Sequence, residues 1–166
     1  MSNRNKEAEE KNSPIFLIQV LREQSELVVA LFIAYCAFYG KTVSPQQAQS
    51  YIEDGLAQRD SVIFVAVQQL DKGGDPRPVG FVQLHPSRSS GQLARRWIIN
   101  DLYVLPEVRR AGIGRQLVER AQAFAFSTNA KDMILRTAEN NREARALYES
   151  LGWVVEEDVV TYRLRL

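Results

Sequence analysis

The sequence has very few of the residues that carry redox, disulfide or metal chemistry. It contains one cysteine, Cys36, and one histidine, His85, among 166 residues. A single cysteine excludes an intramolecular disulfide and favours a reducing compartment, so we expect a cytoplasmic protein. A cysteine nucleophile needs a paired histidine, and nothing in the sequence places His85 near Cys36, so we expect an inert, buried thiol. We expect no metal site.

Long apolar runs and an excess of either charge are also missing. No apolar run approaches the roughly 20 residues of a membrane span, and 21 basic residues offset 20 acidic ones. The net charge therefore gives no reason to expect nucleic acid or a membrane as partner. Residues 1–14 are polar and lack the apolar segment of a signal peptide. We predict a flexible tail over residues 1–14 and one domain over residues 15–166.

Apolar residues recur with strand periodicity in short segments and with helical periodicity in longer ones. The predicted strands cover residues 15–21, 61–67, 78–84, 96–104, 133–137, 153–155 and 159–166. The predicted helices cover about residues 23–38, 45–58, 112–128 and 141–152. Ser44-Pro45 is a typical start for the second helix, and Gly152 is a typical end for the fourth. Glycine, proline and aspartate in residues 71–78 predict a hairpin turn.

The most informative segment runs from residue 102 to residue 114. It reads as a strand, then a basic turn with the pattern R-x-x-G-x-G from Arg109 to Gly114, then a helix. Glycines at a helix start leave backbone N–H groups accessible, and the helix dipole favours an anion there. Arg110 and Arg115 add positive charge, unless they only form a solvated helix entrance. The segment predicts a phosphate or pyrophosphate site.

Two common phosphate-binding loops fit this segment poorly. A P-loop needs Gly-Lys followed by Ser or Thr, and this is absent after Gly112. A dinucleotide fingerprint needs a third glycine, but Gln116-Leu117 stand in its place.

A third pattern fits better, because the segment resembles motif A of the GCN5-related N-acetyltransferases, the GNAT superfamily. Arg109, Gly112 and Gly114 match its signature, and D-L-Y-V-x-P from Asp101 resembles the strand that precedes it. N-x-x-A-x-x-L-Y-x-x-x-G-W from Asn141 resembles a second core motif. The resemblance covers roughly residues 60–166, and more weakly from about residue 15. It implies an α/β (α+β) GNAT fold, with a mixed, mostly antiparallel sheet of six to seven strands flanked by four helices.

The resemblance also implies acetyl-CoA as co-substrate and assigns the residues that hold it. The main chain of Leu102, Tyr103 and Val104 would hold the pantetheine arm, with the Val104 N–H facing the thioester oxygen. The residues that would surround the pyrophosphate are Arg109, Arg110, Ala111, Gly112, Ile113, Gly114 and Arg115. Asn141 would reach the pantetheine, although it could also be only a helix cap; Asn140 could replace it if the register differs.

Two catalytic roles follow from the same resemblance. Tyr148 matches the general acid that protonates the departing thiolate, although its spacing alone indicates a core tyrosine. Asp101 is the candidate general base, but it could equally orient a loop or cap a backbone N–H. His85 could face the cleft, or lie on the surface, and water could relay the proton instead.

The predicted activity is transfer of an acetyl group from acetyl-CoA to a primary amine of a small molecule, such as an amino acid or amino-metabolite. A protein or peptide amine is the alternative acceptor, and a non-catalytic acyl-CoA sensor is the alternative function. The residues that could line an acceptor site are Tyr35, Phe38, Tyr39, Gln83, His85 and Arg88. Residues 159–166 could pair two copies in a homodimer.

Overall fold

The computed structural model describes residues 13–69 and 75–166. Its helices and strands follow the predicted order from the first strand to the fourth helix. They are β1 (Ile15–Gln19), α1 (Glu26–Phe38), α2 (Pro45–Ala57), β2 (Val62–Gln68), β3 (Arg77–Ser89), β4 (Ala94–Val104), α3 (Ile113–Ser127), β5 (Asp132–Leu135) and α4 (Arg142–Glu149). Residues 1–12 of the predicted tail and residues 71–74 of the predicted turn lie outside the described residues, and the rest of the turn runs into β3.

The strands form one sheet in the order β1-β2-β3-β4-β5. The first four are antiparallel neighbours, and β5 runs parallel to β4. The mixed, mostly antiparallel sheet and the four helices confirm the predicted fold class. No helix among the described residues is long and apolar enough to cross a membrane.

The predicted strands at residues 153–155 and 159–166 are wrong, so the described sheet has five strands rather than six or seven. The segment from residue 153 to the C-terminus is neither helix nor strand, and Tyr162 and Leu164 are among its highly exposed side chains. Alternating residues are a local pattern, but a strand needs a neighbouring backbone to complete its hydrogen bonds. No described strand pairs with this segment.

Helices cover both faces of the sheet. On one face, Phe32 of α1 and Ile52 of α2 belong to a core with Val65 and Phe81 of the sheet. On the other face, Phe124 of α3 lies against Phe64 of β2, with ring centroids 5.5 Å apart. Helices α1 and α2 therefore lie on one face of the sheet, and α3 lies on the other.

Local sequence signals set the ends of the helices. Ser44 Oγ accepts a hydrogen bond from the Gln47 N–H, and the Gln47 side chain accepts one from the Ser44 N–H, which confirms the predicted start of α2. The chain divides into two compact units, Met1–Arg136 and Thr137–Leu166. The smaller unit contains α4, which is followed by Gly152 in the left-handed conformation, with φ at 85°.

Candidate active site

The turn between β4 and α3 exposes backbone donors at the start of a helix. Gly112 precedes α3 with φ at 79° and provides no side-chain cap. A Cβ on Gly112 would meet no atom within 4 Å, so the left-handed backbone, and not lack of space, favours glycine. The first N–H groups of a helix have no acceptor within the helix. Those of Ile113 and Gly114 can therefore serve an anion.

The end of β4 keeps one edge open. β5 pairs with β4 only from Arg96 to Ile99, and the register shift between β3 and β4 leaves Asn100 without a partner on β3. Beyond this bulge, β3 is the only described strand that pairs with β4. The open edge of β4 therefore begins after Ile99, where β4 and β5 stop pairing.

The register determines which backbone groups face this edge. The Leu105 N–H donates to the Val79 carbonyl at 2.9 Å. Antiparallel strands direct the polar groups of alternate residues toward the same neighbour, so those of Tyr103 also face β3. Leu102 and Val104 consequently direct their N–H and C=O groups toward the edge that β5 leaves open.

The Arg109 side chain folds back over the end of β4. Its Nε donates to the Val104 carbonyl at 2.9 Å. Its Cζ lies 5.5 Å from the ring centroid of Phe38 and 5.6 Å from that of Tyr103. The guanidinium thus connects the turn with the end of β4 and the end of α1.

Asp101 lies in β4 on the face covered by α1 and is 6% exposed. Its Oδ2 accepts a hydrogen bond from Asn100 Nδ2 at 2.8 Å, and it also bonds the Tyr35 hydroxyl. Burial, followed by this hydrogen bond and the charge of Asp101, raises the pKa of Tyr35 well above its usual range. Tyr35 therefore stays protonated and can hold the carboxylate in place.

Burial and the charge of Asp101 also raise the pKa of the Cys36 thiol. Cys36 is half-buried rather than buried as expected. The raised pKa keeps the thiol protonated at neutral pH, which makes it a poor nucleophile.

Aromatic side chains of α1 cluster with Tyr35, the residue that bonds Asp101. The Tyr35 ring lies edge-on to Tyr39 and Tyr103, with centroids 5.0 and 6.2 Å away. Phe38 and Tyr39 are more than half exposed. Three residues expected to line an acceptor site, Tyr35, Phe38 and Tyr39, are therefore grouped beside the end of β4.

The other three expected lining residues separate along β3. Gln83 is the register partner of Asp101; its Nε2 donates to Ser61 Oγ at 2.7 Å, and its buried Oε1 has no described partner. His85 has Nδ1 2.6 Å from the Asp60 carbonyl, and Arg88 lies farther along the strand. The positions of His85 and Arg88 could not be read from the sequence, because β3 was expected to end at Leu84, whereas it continues to Ser89.

The second unit contains the remaining two predicted site residues. Asn141 caps α4, because its Oδ1 accepts from the Ala144 N–H at 3.3 Å while its Nδ2 donates to Thr137 Oγ1 at 3.2 Å. Tyr148 is 9% exposed, and its ring centroid lies 6.0 Å from that of Trp153. The capping role is thus present, and Tyr148 has the burial that its spacing indicated.

Comparisons with known proteins identify the family of the chain. Residues 28–153 match the acetyltransferase (GNAT) family. An uncharacterized N-acetyltransferase of Bacillus subtilis (strain 168), YhfO, is 33% identical over 148 residues, covering 89% of this chain and 95% of that protein. A probable acetyltransferase of Haemophilus influenzae is 31% identical over 141 residues, covering 85% and 91%. The crystal structure of a probable acetyltransferase has a TM-score of 0.81 and 34% identity, covering 91% of this chain and 97% of the other.

Proposed function

This chain belongs to the acetyltransferase (GNAT) family, and we propose that it transfers the acetyl group of acetyl-CoA to the primary amine of a small molecule. Its family and relatives make it an acyl-CoA-dependent N-acetyltransferase. The identity of the acceptor and the roles of individual residues are what we propose. The carrying observation is the open edge of β4, which leads directly into the glycine turn before α3.

The residues at this edge fit acetyl-CoA. Backbone N–H groups at the start of α3 and the arginines of the turn suit the pyrophosphate. The backbone groups of Leu102 and Val104 suit the amides of the pantetheine arm. Asn141 is proposed to contact the same arm while capping α4.

The chain's own residues can move the protons that the reaction requires. Bound acetyl-CoA supplies a thioester, whose carbon–sulfur bond breaks as the carbon–nitrogen bond to the amine forms. Asp101 is proposed to accept the proton that the acceptor loses, because an alkylammonium ion with a pKa near ~10 is unreactive until deprotonated. The Tyr148 hydroxyl is proposed to protonate the leaving thiolate, and the Val104 N–H to stabilise the developing oxyanion.

The surroundings of Asp101 favour a compact cationic acceptor. A single buried carboxylate can bind one ammonium group, and the rings of Phe38 and Tyr39 offer apolar surface and cation–π contact beside it. A peptide amine would need an extended surface for its backbone, which these side chains alone do not supply. We therefore propose an amino acid or amino-metabolite as acceptor.

The expectations for the rest of the molecule belong to the same proposal. They are one acetyltransferase domain over residues 15–166, a cytoplasmic location and a homodimer. Neither nucleic acid nor a membrane is proposed as a partner.

A panel of acceptors tests the proposal directly. Purified protein is incubated with acetyl-CoA and single amines, and thiol release and the mass of the acetylated product are both measured. The panel contains amino acids, amino-metabolites and short peptides with free N-termini. Acetylation of small amines at a higher kcat/KM than peptides is the expected result. Preference for peptides would overturn the acceptor class, and absence of turnover with any amine would overturn the activity.

A further inference from the structure

A cavity of about 700 Å³ lies at the other end of the sheet from the α3 turn. It is formed where β1 and β3 end and where β2 and β4 begin. The side chains that matter for its chemistry are Arg22, Arg59, Arg88, Arg95, Ser61 and Trp97. Arg95 and Val104 are nine residue steps apart along β4, or about 30 Å at 3.3 Å per step, so the cavity is distinct from the proposed acetyl-CoA site.

The described lining of this cavity is strongly basic. It includes four arginines and neither aspartate nor glutamate, although the whole chain has a net charge of only +1. Arg22 also acts on Glu53, whose pKa is lowered by hydrogen bonds from Gln49 and Ser25 and further by this arginine. For Arg59, Arg88 and Arg95, no ion pair is described with any residue of 13–69 or 75–166.

Two of these arginines face each other across the sheet. Arg88 of β3 and Arg95 of β4 are register partners, and like charges directly opposite on neighbouring strands are destabilising. Arg59 adds a third charge from a left-handed backbone, with φ at 59°. The C-terminal ends of α2 and α3 each carry a partial charge of about −0.5, and together they offset only part of the positive charge of the four arginines. An anion between the guanidinium groups would relieve their repulsion.

The remaining lining suits the uncharged part of a ligand. Arg95 Cζ lies 5.8 Å from the centroid of the Trp97 ring, and Leu21 and Leu56 supply aliphatic surface. The buried Ser61 hydroxyl accepts from Gln83 and can still donate its own proton. The cavity volume is in the range of small-molecule sites.

We propose that this cavity binds a small organic phosphate. The guanidinium groups of Arg59, Arg88 and Arg95 hold the phosphate oxygens by charge-assisted hydrogen bonds, which the planar arginine fork forms well. The apolar body of the ligand lies against Leu21 and Leu56.

The test uses the full chain and the indole N–H signals of Trp97 and Trp153 in nitrogen-15 NMR spectra. Trp97 lines the cavity, whereas Trp153 belongs to the other unit. The probes are phenyl phosphate, inorganic phosphate and benzyl alcohol, each titrated with and without saturating CoA. We expect phenyl phosphate to shift the Trp97 indole signal saturably, with a lower Kd than that of inorganic phosphate. Saturating CoA should change neither Kd. Benzyl alcohol should leave Trp97 unshifted.

Charge-matched variants connect the binding to the arginines. Arg59→Gln combined with Arg88→Gln should weaken phenyl phosphate binding by about tenfold or more, because two charge-assisted contacts are lost. The control, Arg163→Gln with Arg165→Gln, removes the same charge from the exposed C-terminal segment and should bind like wild type. Arg88→Gln alone replaces the double variant if the latter does not fold.

Several results would overturn the proposal. These are no Trp97 shift with either phosphate, equal affinity in the cavity variant and wild type, or equal weakening in the control pair. Competition by CoA would place the probe in the acetyl-CoA site instead. If inorganic phosphate bound as tightly as phenyl phosphate, the cavity would not recognise the organic part of the ligand. If benzyl alcohol bound, the cavity would not require an anion.

Discussion

Asp101 is the residue on which the proposed chemistry depends most. Its burial next to Asn100 and Tyr35 gives the carboxylate two hydrogen-bond donors within the face covered by α1. These two hydrogen bonds fix the orientation of the carboxylate beside α1. The sequence could not show these hydrogen bonds, and it indicated a base and a loop-orienting residue equally for Asp101.

Replacing Asp101 separates these two roles. Asp101→Asn keeps the shape and the Tyr35 contact but removes the proton acceptor, so we expect kcat/KM to fall about 10²–10⁴-fold. Steady-state rates measure the loss, and binding of acetyl-CoA should remain. Tyr35→Phe is the control, because it removes the hydrogen-bond partner and leaves the carboxylate. If Asp101→Asn retained full kcat/KM, Asp101 would not be the base.

Tyr148 permits a similarly minimal change. Tyr148→Phe removes one oxygen from a buried ring, and we expect kcat to fall about 10²-fold or more while CoA affinity is retained. The melting temperature of the variant shows whether the loss is structural, since Tyr148 also packs near Trp153. Unchanged turnover would return Tyr148 to the core role that its spacing indicated.

At the scale of elements, the pairing of β3 with β4 depends on a close backbone approach at Gly80. A Cβ at this position would lie 2.8 Å from the Tyr103 carbonyl oxygen, on the strand that carries the open edge. This contact was not evident in the sequence, where Gly80 is an isolated glycine in a strand. Its reason is visible only once the register is known.

Gly80→Ala should therefore destabilise the protein and disturb the end of β4. We expect a loss of about 1–3 kcal/mol in the free energy of unfolding, as for other overpacked sites, and weaker acetyl-CoA binding. Chemical denaturation and calorimetry measure the two effects. Gly91→Ala is the control, because a Cβ there meets no atom within 4 Å. Equal stability of the two variants would contradict the close approach.

Arg96 and Asp132 join β4 to β5 where their pairing begins. Arg96 Nε donates to Asp132 Oδ1 at 2.6 Å. Hydrogen bonding from Arg96, together with the positive charge of Arg96, lowers the pKa of the Asp132 carboxyl. A carboxyl group whose pKa is lowered by folding stabilises the native state at pH values above its pKa in the unfolded chain, which is near ~4. This stabilisation is lost as the pH falls through its pKa in the folded protein.

Asp132→Asn should accordingly destabilise the protein at pH 7 by about 1 kcal/mol. The difference from wild type should diminish as the pH falls below about 4, because the wild-type carboxyl then becomes protonated as well. Urea unfolding at a series of pH values measures it. A difference that stays constant down to strongly acidic pH would show that the ion pair contributes nothing through Asp132 ionisation.

At the scale of the whole molecule, local patterns predicted the helices and the first five strands. Ser44-Pro45 located the start of α2, and R-x-x-G-x-G located the turn before α3. The alternating residues 159–166 predicted a strand wrongly, because a strand depends on a partner that local alternation does not supply. The contact between Tyr35 and Asp101 and the pairing of Arg88 with Arg95 also escaped prediction. Both depend on register and helix placement, which are properties of the folded chain.

The central claim is that the turn before α3 and the open edge of β4 form an acetyl-CoA site. The most direct measurement is the melting temperature of the purified protein with acetyl-CoA, free CoA, ATP and NADH in parallel. A ligand at about a hundred times its Kd stabilises the native state by about 2.7 kcal/mol, so binding must be visible. We predict a rise with acetyl-CoA and CoA and none with ATP or NADH. No rise with either CoA species, or an equal rise with ATP, would contradict the account.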